Sequence, residues 1–598
     1  MVSFRKAFLL LALVVALTSI ASAQFQLNPL QCTANAGIPP IARFEGLADE
    51  VGQVVINCSG GTPTPIGATI PTVNITIFMT APVTSRLMSS TALSNGLFAT
   101  EAVVMVDEPG SPLPNNSGTL SFCSAATQIS TGCPLTSAAG DGSSKSYNTA
   151  YNNQQGTVTR YNTWQGQYTP VQPNQIAFLG VPIDPPGTTG NRVVRIANVR
   201  INARESGYSS SSFVPNDVNM FISVSGTGSL PLTNNVLRVA FVQPAMTFSV
   251  TGATLNQCDP PTSPIAITFT ERFGTAFEIR RSVGDQNVPG QNYNTESMFY
   301  DTTYLSSSMG LADQGTRLLV RFSGIPSGIG LSAPLTVTGT GGLVLTRVVT
   351  DSAGAGSYSP ASSTSISLSG GAGYMVYEVT SSTAGLIESA TISVTVSYPS
   401  GFPATLPGLT PPGSPGTVAG FLAPLSTATR ASASAPVPRF VEDNQIPSAA
   451  LTVNPCQTNL LFPFIAQLGT TFDTGIAISN TSQDPYGTAA QSGTCTLYFY
   501  NGTANPPASQ TSTSIGAGAS LAFSLYAGNA TQNIQPVRDF TGYMIARCNF
   551  QFGHGFAFIS DLGLNKWSEG YLALVLDADK YIANPLTRTG VRSETNQH

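Results

Sequence analysis

Apolar and polar positions alternate with a period of two in one short run after another along this chain. Val73-Asn74-Ile75-Thr76-Ile77 does so, as does Ala390-Thr391-Ile392-Ser393-Val394-Thr395-Val396. Comparable β-branched runs occupy 101–106, 192–202, 218–225, 237–242, 265–270 and 318–322. A period of two is the mark of a half-buried strand, since successive side chains point to opposite faces. No stretch beyond the first 23 residues keeps apolar residues at i, i+3, i+4 and i+7 over several turns. Short strands broken by Gly, Pro, Asn and Ser predict an all-β fold of tandem sandwiches, of the immunoglobulin or fibronectin kind.

Breaks in the pattern divide the chain. Nine prolines fall within 399–438 among Gly, Ser, Thr and Ala; proline lacks the N–H a ladder needs, so the stretch reads as a semi-extended spacer. A weaker break lies at Cys258-Asp259-Pro260-Pro261. The expected organisation is a leader at 1–23, a first unit at 24–250 carrying a polar insertion at 143–173, and a second unit at 251–398. A linker at 399–455, a third unit at 456–586 and a polar tail at 587–598 complete it.

The leader has its own logic. Arg5 and Lys6 precede an apolar run from Ala7 to Leu17, and Ala21-Ser22-Ala23 fits the small-x-small cleavage rule. That run is shorter than the ~20 residues of a membrane span, so the mature chain is expected to be exported and to begin at Gln24. Composition narrows the role further. Only 9% of the 598 residues are charged, 41% are hydrophobic, and the net charge is −5. Such a chain folds, because disorder needs low hydrophobicity with high charge. It also has no electrostatic footprint for nucleic acid.

Eight cysteines in an exported chain read as disulfides: Cys32, Cys58, Cys123, Cys133, Cys258, Cys456, Cys495 and Cys548. No C-x-x-C pair occurs, so a redox motif or a zinc ribbon is not expected. Local pairs are the preferred assignments, Cys32–Cys58, Cys123–Cys133 and Cys495–Cys548, with the last crossing two strand-like runs.

Catalytic chemistry has little to work with. His554 and His598 are the only histidines, and no G-x-S-x-G elbow supplies a serine for either. Zinc sites of the H-E-x-x-H type cannot be assembled. A two-carboxylate glycosidase would draw on Glu271 and Glu278, which also read as partners for Arg272, Arg280 and Arg281. Asp107-Glu108-Pro109-Gly110 reads as a solvated turn. Gly339-Thr340-Gly341-Gly342 precedes a strand, so it reads as a hairpin turn and not as a phosphate loop. Asp577-Ala578-Asp579 is the best local calcium candidate, but it lacks the rest of an EF-hand loop; no metal or other cofactor is expected.

The insertion carries the most suggestive surface chemistry. Tyr161, Trp164 and Tyr168 lie among Asn162, Gln165 and Gln167, and aromatic faces beside amide donors suit a neutral sugar or a protein partner. The plainer reading is a polar loop without a ligand. At the other end of the mature chain, Gln24-Phe25-Gln26-Leu27 alternates and could add as a strand to a neighbour's sheet.

The third unit reads Phe472-Asp473-Thr474-Gly475-Ile476-Ala477-Ile478-Ser479-Asn480, then Cys495-Thr496-Leu497-Tyr498-Phe499-Tyr500, Ile515-Gly516-Ala517-Gly518 and Phe540-Thr541-Gly542. This order resembles a β-sandwich module, of the form F-x-T-G-I-A-x-x-N, found in many uncharacterised secreted bacterial proteins. Cys32-Thr33-Ala34-Asn35-Ala36-Gly37 and 180–190 resemble secreted proteins of the same group. The resemblance implies a fold and an extracellular location, and brings no catalytic residues. The function expected is that of a non-enzymatic, secreted or cell-surface structural or adhesive protein. Its partners are expected to be other surface proteins, itself or glycans, and a lectin-like carbohydrate-binding role is the alternative.

Overall fold

A computed structural model describes residues 28–576, apart from 110–119, 138–160, 208–214, 258–260, 262, 282–293, 301–307, 399–413, 444, 455–456, 487, 489 and 504. The leader at 1–23, the 24–27 run, most of the 143–173 insertion, the first part of the expected linker, Cys258, Cys456, Asp577-Ala578-Asp579 and the tail lie outside the described residues. What is described is nearly all β, with 3% helix and 49% strand.

The runs at 73–77, 101–106, 218–225, 237–242, 265–270, 318–322 and 390–396 are strands, and the run at 192–202 is two, broken after Ala197 where Asn198 takes a left-handed φ of 61°. Ser389–Ser397 buries every second residue, placing Ala390, Ile392, Val394 and Val396 inward. Asp473–Asn480 and Gly553–Ser560 do the same. Gly341 and Gly342, both with positive φ, make the turn between Thr336–Thr338 and Val344–Val348.

In the first unit, twelve strands join in one hydrogen-bonded sheet whose middle runs Val54–Gly60, Gly187–Ala197, Phe98–Val106, Thr163–Tyr168, Gln175–Pro182, Thr72–Met79. One apolar cluster takes residues from both ends of that path, including Ala34, Ile56, Trp164 and Val239, so the sheet wraps around a single core. The second unit packs a five-stranded sheet on an eight-stranded one, and the third a five-stranded sheet on a four-stranded one, each around its own core.

The proline-rich stretch is not a spacer where it is described. Gly416–Ala423 is an inner strand of the eight-stranded sheet, held between Arg317–Ser323 and Ser448–Asn454. Its prolines flank the strand and leave its ladder donors intact, so proline count alone misplaced the boundary. Gly420 sits where a β-carbon would overlap the Phe248 ring, so the sheets approach closely there. Residues 424–443 then cross onto the first unit, where Leu47 donates to Arg439 O and Leu87 donates to Ser432 O.

Buried ion pairs fasten the first unit to the second. The Arg43 guanidinium reaches Asp49 at 3.0 Å and Glu296, from the second unit, at 2.7 Å. It also lies over the Phe440 ring. Arg200 pairs with Glu101 at 3.2 Å and donates to the Glu296 carbonyl oxygen at 2.7 Å. Breaking such a pair strands a charge in low dielectric, which costs about 3–5 kcal/mol. The two units are therefore one mechanical body.

Candidate functional site

The aromatic residues expected to form a ligand platform are core residues. Trp164 and Tyr168 are 0% and 1% exposed, in the strand Thr163–Tyr168, all six of whose residues are buried. Tyr161 packs against the same core. The strand runs through the middle of the sheet and is covered on both faces, so its amides pair internally. Gln165 donates to Thr100 O at 2.9 Å and accepts from Ala125 N–H at 2.9 Å, while Gln167 donates to Gln128 at 3.0 Å. A polar sequence can occupy a core when each amide finds a partner. No sugar can stack on these rings without unfolding the strand.

Other chemical candidates also resolve into structure. Asp107 and Glu108 are buried, not solvated, and pair with Arg192 at 2.6 Å and Arg195 at 3.1 Å. Burial raises the Asp107 carboxyl to about 6 against the pull of Arg192. Glu271 accepts the backbone N–H groups of Phe277 and Glu388, a structural task, although burial pushes it up to about 7. His554 is an exposed position on Gly553–Ser560, opposite Ser479. Among the described residues, no three His, Cys, Asp or Glu side chains gather as metal ligands.

The cysteines behave as expected where they are described. Cys32–Cys58, Cys123–Cys133 and Cys495–Cys548 are bonded. The first and third join residues directly opposite on paired strands. The F-x-T-G-I-A-x-x-N motif is structural too. The Thr474 hydroxyl donates to Ala466 O and accepts from Ala466 N–H, and the Asn480 amide donates to Gln491 O and Ile515 O. The motif pins the turns at both ends of its strand.

Two surface features remain. A cleft of about 280 Å³ opens between the first and second units, with Ile38, Pro39 and Phe273 on its rim and Asp49, Glu50 and Glu278 within. Burial pushes Glu50 up to about 7, with Arg200 opposing and Glu296, Asp49 and Glu101 adding to the rise. Burial also raises Glu278 well above the usual carboxylate range, with Glu296 adding to the rise and Arg43 opposing it.

The second feature is larger. Of 24 large apolar side chains exposed among the described residues, 12 belong to the third unit, six of them on its strands (Phe464, Tyr500, Tyr543, Phe556, Phe558 and Leu572) and six on its loops. On its four-stranded sheet, Phe556 and Phe558 point outward beside Leu572, flanked by Gly475, Ala477 and Ala522. None of these six residues is ionisable, and His554 and Asp473 border them on the same face. On the opposite sheet, Tyr500 and Tyr543 stack across neighbouring strands at 5.0 Å between ring centres. Tyr498, Ile545, Leu461 and Leu574 form an adjacent cross-strand row. The register of Thr458–Gln467 shifts between Phe462 and Ile465, and Pro463 and Phe464 within that shift are exposed. Exposed apolar side chains gathered in this way make these faces the candidate contact site. Sequence reasoning missed it because strand alternation does not say which residues of a two-sided apolar strand meet solvent.

No known protein family and no curated protein matches the sequence. Solved structures similar to it include the C-terminal domain of the AgI/II polypeptide BspA of Streptococcus agalactiae, with 8% identity, a TM-score of 0.20, and 66% of this chain and 96% of that one covered. The serine-rich repeat adhesion glycoprotein Srr1 of Streptococcus agalactiae aligns with 9% identity and a TM-score of 0.17, over 70% of this chain and 97% of that one. The T6 backbone pilin of Streptococcus pyogenes aligns with 9% identity and a TM-score of 0.17, over 91% of this chain and 80% of that one. These chains are bacterial surface β proteins, and alignments at this level pass neither ligand nor role to the present one. No helix among the described residues is long and apolar enough to cross a membrane.

Proposed function

We propose that this chain is a non-enzymatic, secreted, surface-located adhesive protein, in which the first two units form a stiff stem and the third supplies the adhesive contact. The observation that carries this reading is the concentration of exposed apolar and aromatic side chains on both outward faces of the third unit. Tyrosine supplies large, rigid contact area at low entropic cost, and a patch without charge meets no like-charge repulsion from an identical patch. The reading therefore takes the partner to be another copy of the chain. Carbohydrate binding loses the residues on which it rested, since Trp164 and Tyr168 are buried. In the Tyr500–Tyr543 pair, each ring already covers one face of the other, which suits protein contact better than sugar stacking.

The test is bead aggregation. Beads coated with the oxidised chain are expected to clump, and beads coated with Tyr500→Ser/Tyr543→Ser/Phe556→Ser/Phe558→Ser are expected to stay dispersed. Dispersed wild-type beads that bind a glycan array would replace adhesion between copies with a lectin role.

A further inference from the structure

The hairpin between Gly553–Ser560 and Ser568–Leu572 ends in Asp561-Leu562-Gly563-Leu564-Asn565-Lys566-Trp567. Leu562, Leu564 and Trp567 are 56%, 63% and 46% exposed. Three large apolar side chains within six residues thus stand in solvent at one tip. The buried Asp561 carboxylate accepts from Gly563 N–H at 3.0 Å and from Asn565 N–H, and the Asp561 N–H donates to Trp567 O at 3.1 Å. Leu562, Gly563 and Lys566 all have left-handed backbone, with φ of 55°, 88° and 60°. That conformation is unfavourable for leucine and lysine, so the closed ring of bonds, not local preference, fixes the shape. Beside the tip, Phe472 meets Trp567 edge-on at 5.9 Å, and Leu468 is exposed.

Lys566 is the cation of this tip; the Asp561 carboxylate is taken up by the loop's own N–H groups, and Glu569 follows in the next strand. The chain has four lysines, and Lys566 is the only one among the described residues. On a molecule of net charge −5 it stands at the one tip that also displays two leucines and a tryptophan. Apolar side chains that reach into acyl chains, a tryptophan at the level of the headgroups and a cation to meet anionic phosphate are the elements of an interfacial anchor. A protein groove would be expected to meet polar hydrogen-bonding groups as well, and Asn565 is the only neutral polar side chain on the tip.

We propose that the 561–567 tip is a lipid-binding anchor that inserts Leu562, Leu564 and Trp567 into the interface of an anionic bilayer, with Lys566 against the headgroups. This site is separate from the sheet faces assigned to adhesion, and either can fail without the other.

The chain carries its own reporter. Of its two tryptophans, Trp164 is 0% exposed, so a change in emission on binding reports Trp567. The full oxidised chain is titrated with vesicles of phosphatidylcholine and phosphatidylglycerol at about 7:3. Expected are a blue shift, quenching by brominated acyl chains, and co-sedimentation. Leu562→Asn/Leu564→Asn should weaken partitioning roughly tenfold or more. Lys566→Glu should weaken it several-fold at low salt, and less at high salt as headgroup attraction is screened. Both are surface changes, and retained circular dichroism with unaltered Trp164 emission shows that the variants are folded. Absence of quenching and sedimentation for the wild type, or equal binding by the leucine variant, overturns the proposal; a soluble protein captured by the tip instead would have the same effect.

Discussion

Glu50 enters the contact between the first two units with a carboxyl group that burial pushes up to about 7. Arg200, Glu296, Asp49 and Glu101 surround it, and Glu278 faces the same cleft from the second unit. A folded-state value above the ordinary 4.5 means that the folded chain holds a proton the unfolded chain releases. Stability from this group is complete below about pH 4.5 and is lost as pH rises towards 7. The melting temperature is thus expected to fall across that window, and Glu50→Gln should flatten the fall and raise stability at pH 8 by on the order of 1–3 kcal/mol. Thermal scans of both proteins across pH decide it; parallel curves would refute the assignment. Trp164 tests burial in the same way. Trp164→Ala should cost about 3–5 kcal/mol in denaturant unfolding, where a surface tryptophan would cost almost nothing. At this scale the sequence was least legible. Trp164 and the amides around it have the composition of a binding loop, and only the paired strands on either side show that the Gln165 and Gln167 amides find their partners inside. Asp107 and Glu108 misled for the same reason, because their arginine partners lie more than eighty residues away.

Strands were far more legible, because alternation is a local property. The runs at 73–77, 265–270 and 390–396 announce themselves, and the structure adds mainly their order. Strand-to-strand placement also explains the bonded cysteines. Cys495 and Cys548 face each other in register, closing a loop of sequence separation 53. Replacing both by Ala should destabilise the third unit by about 4 kcal/mol on the chain-entropy scale, read by urea unfolding. Ala253–Asn256 and Ser448–Asn454 run parallel with Asn256 opposite Asn454. Cys258 and Cys456 each follow by two positions, so non-reducing peptide mapping is expected to find them joined. A free thiol at either would contradict this. What alternation could not convey is the inner strand Gly416–Ala423. Its run is short and glycine-rich, and the prolines around it dominate the local signal. Gly420→Ala, forced against Phe248, should cost about 1–3 kcal/mol.

Over the whole molecule, the proposed stem and the proposed adhesive end rest on different residues. The stem depends on Arg43, which holds Asp49 and Glu296 across the first contact. The adhesive end depends on outward faces whose aromatic residues the third unit does not need for its own core. The sequence indicated a charge-poor, disulfide-bonded β protein, but its candidate ligand platform rested on Trp164 and Tyr168, which are buried. Which aromatic residues are left over after folding is a property of the assembled sheets. Whether the third unit's outward faces join one copy to another is decided by light scattering on the oxidised chain over a concentration series, beside the Tyr500→Ser/Tyr543→Ser/Phe556→Ser/Phe558→Ser variant. Mass rising with concentration for the wild type and constant monomer mass for the variant is the predicted result; two chains that remain monomeric throughout, or associate alike, would contradict it.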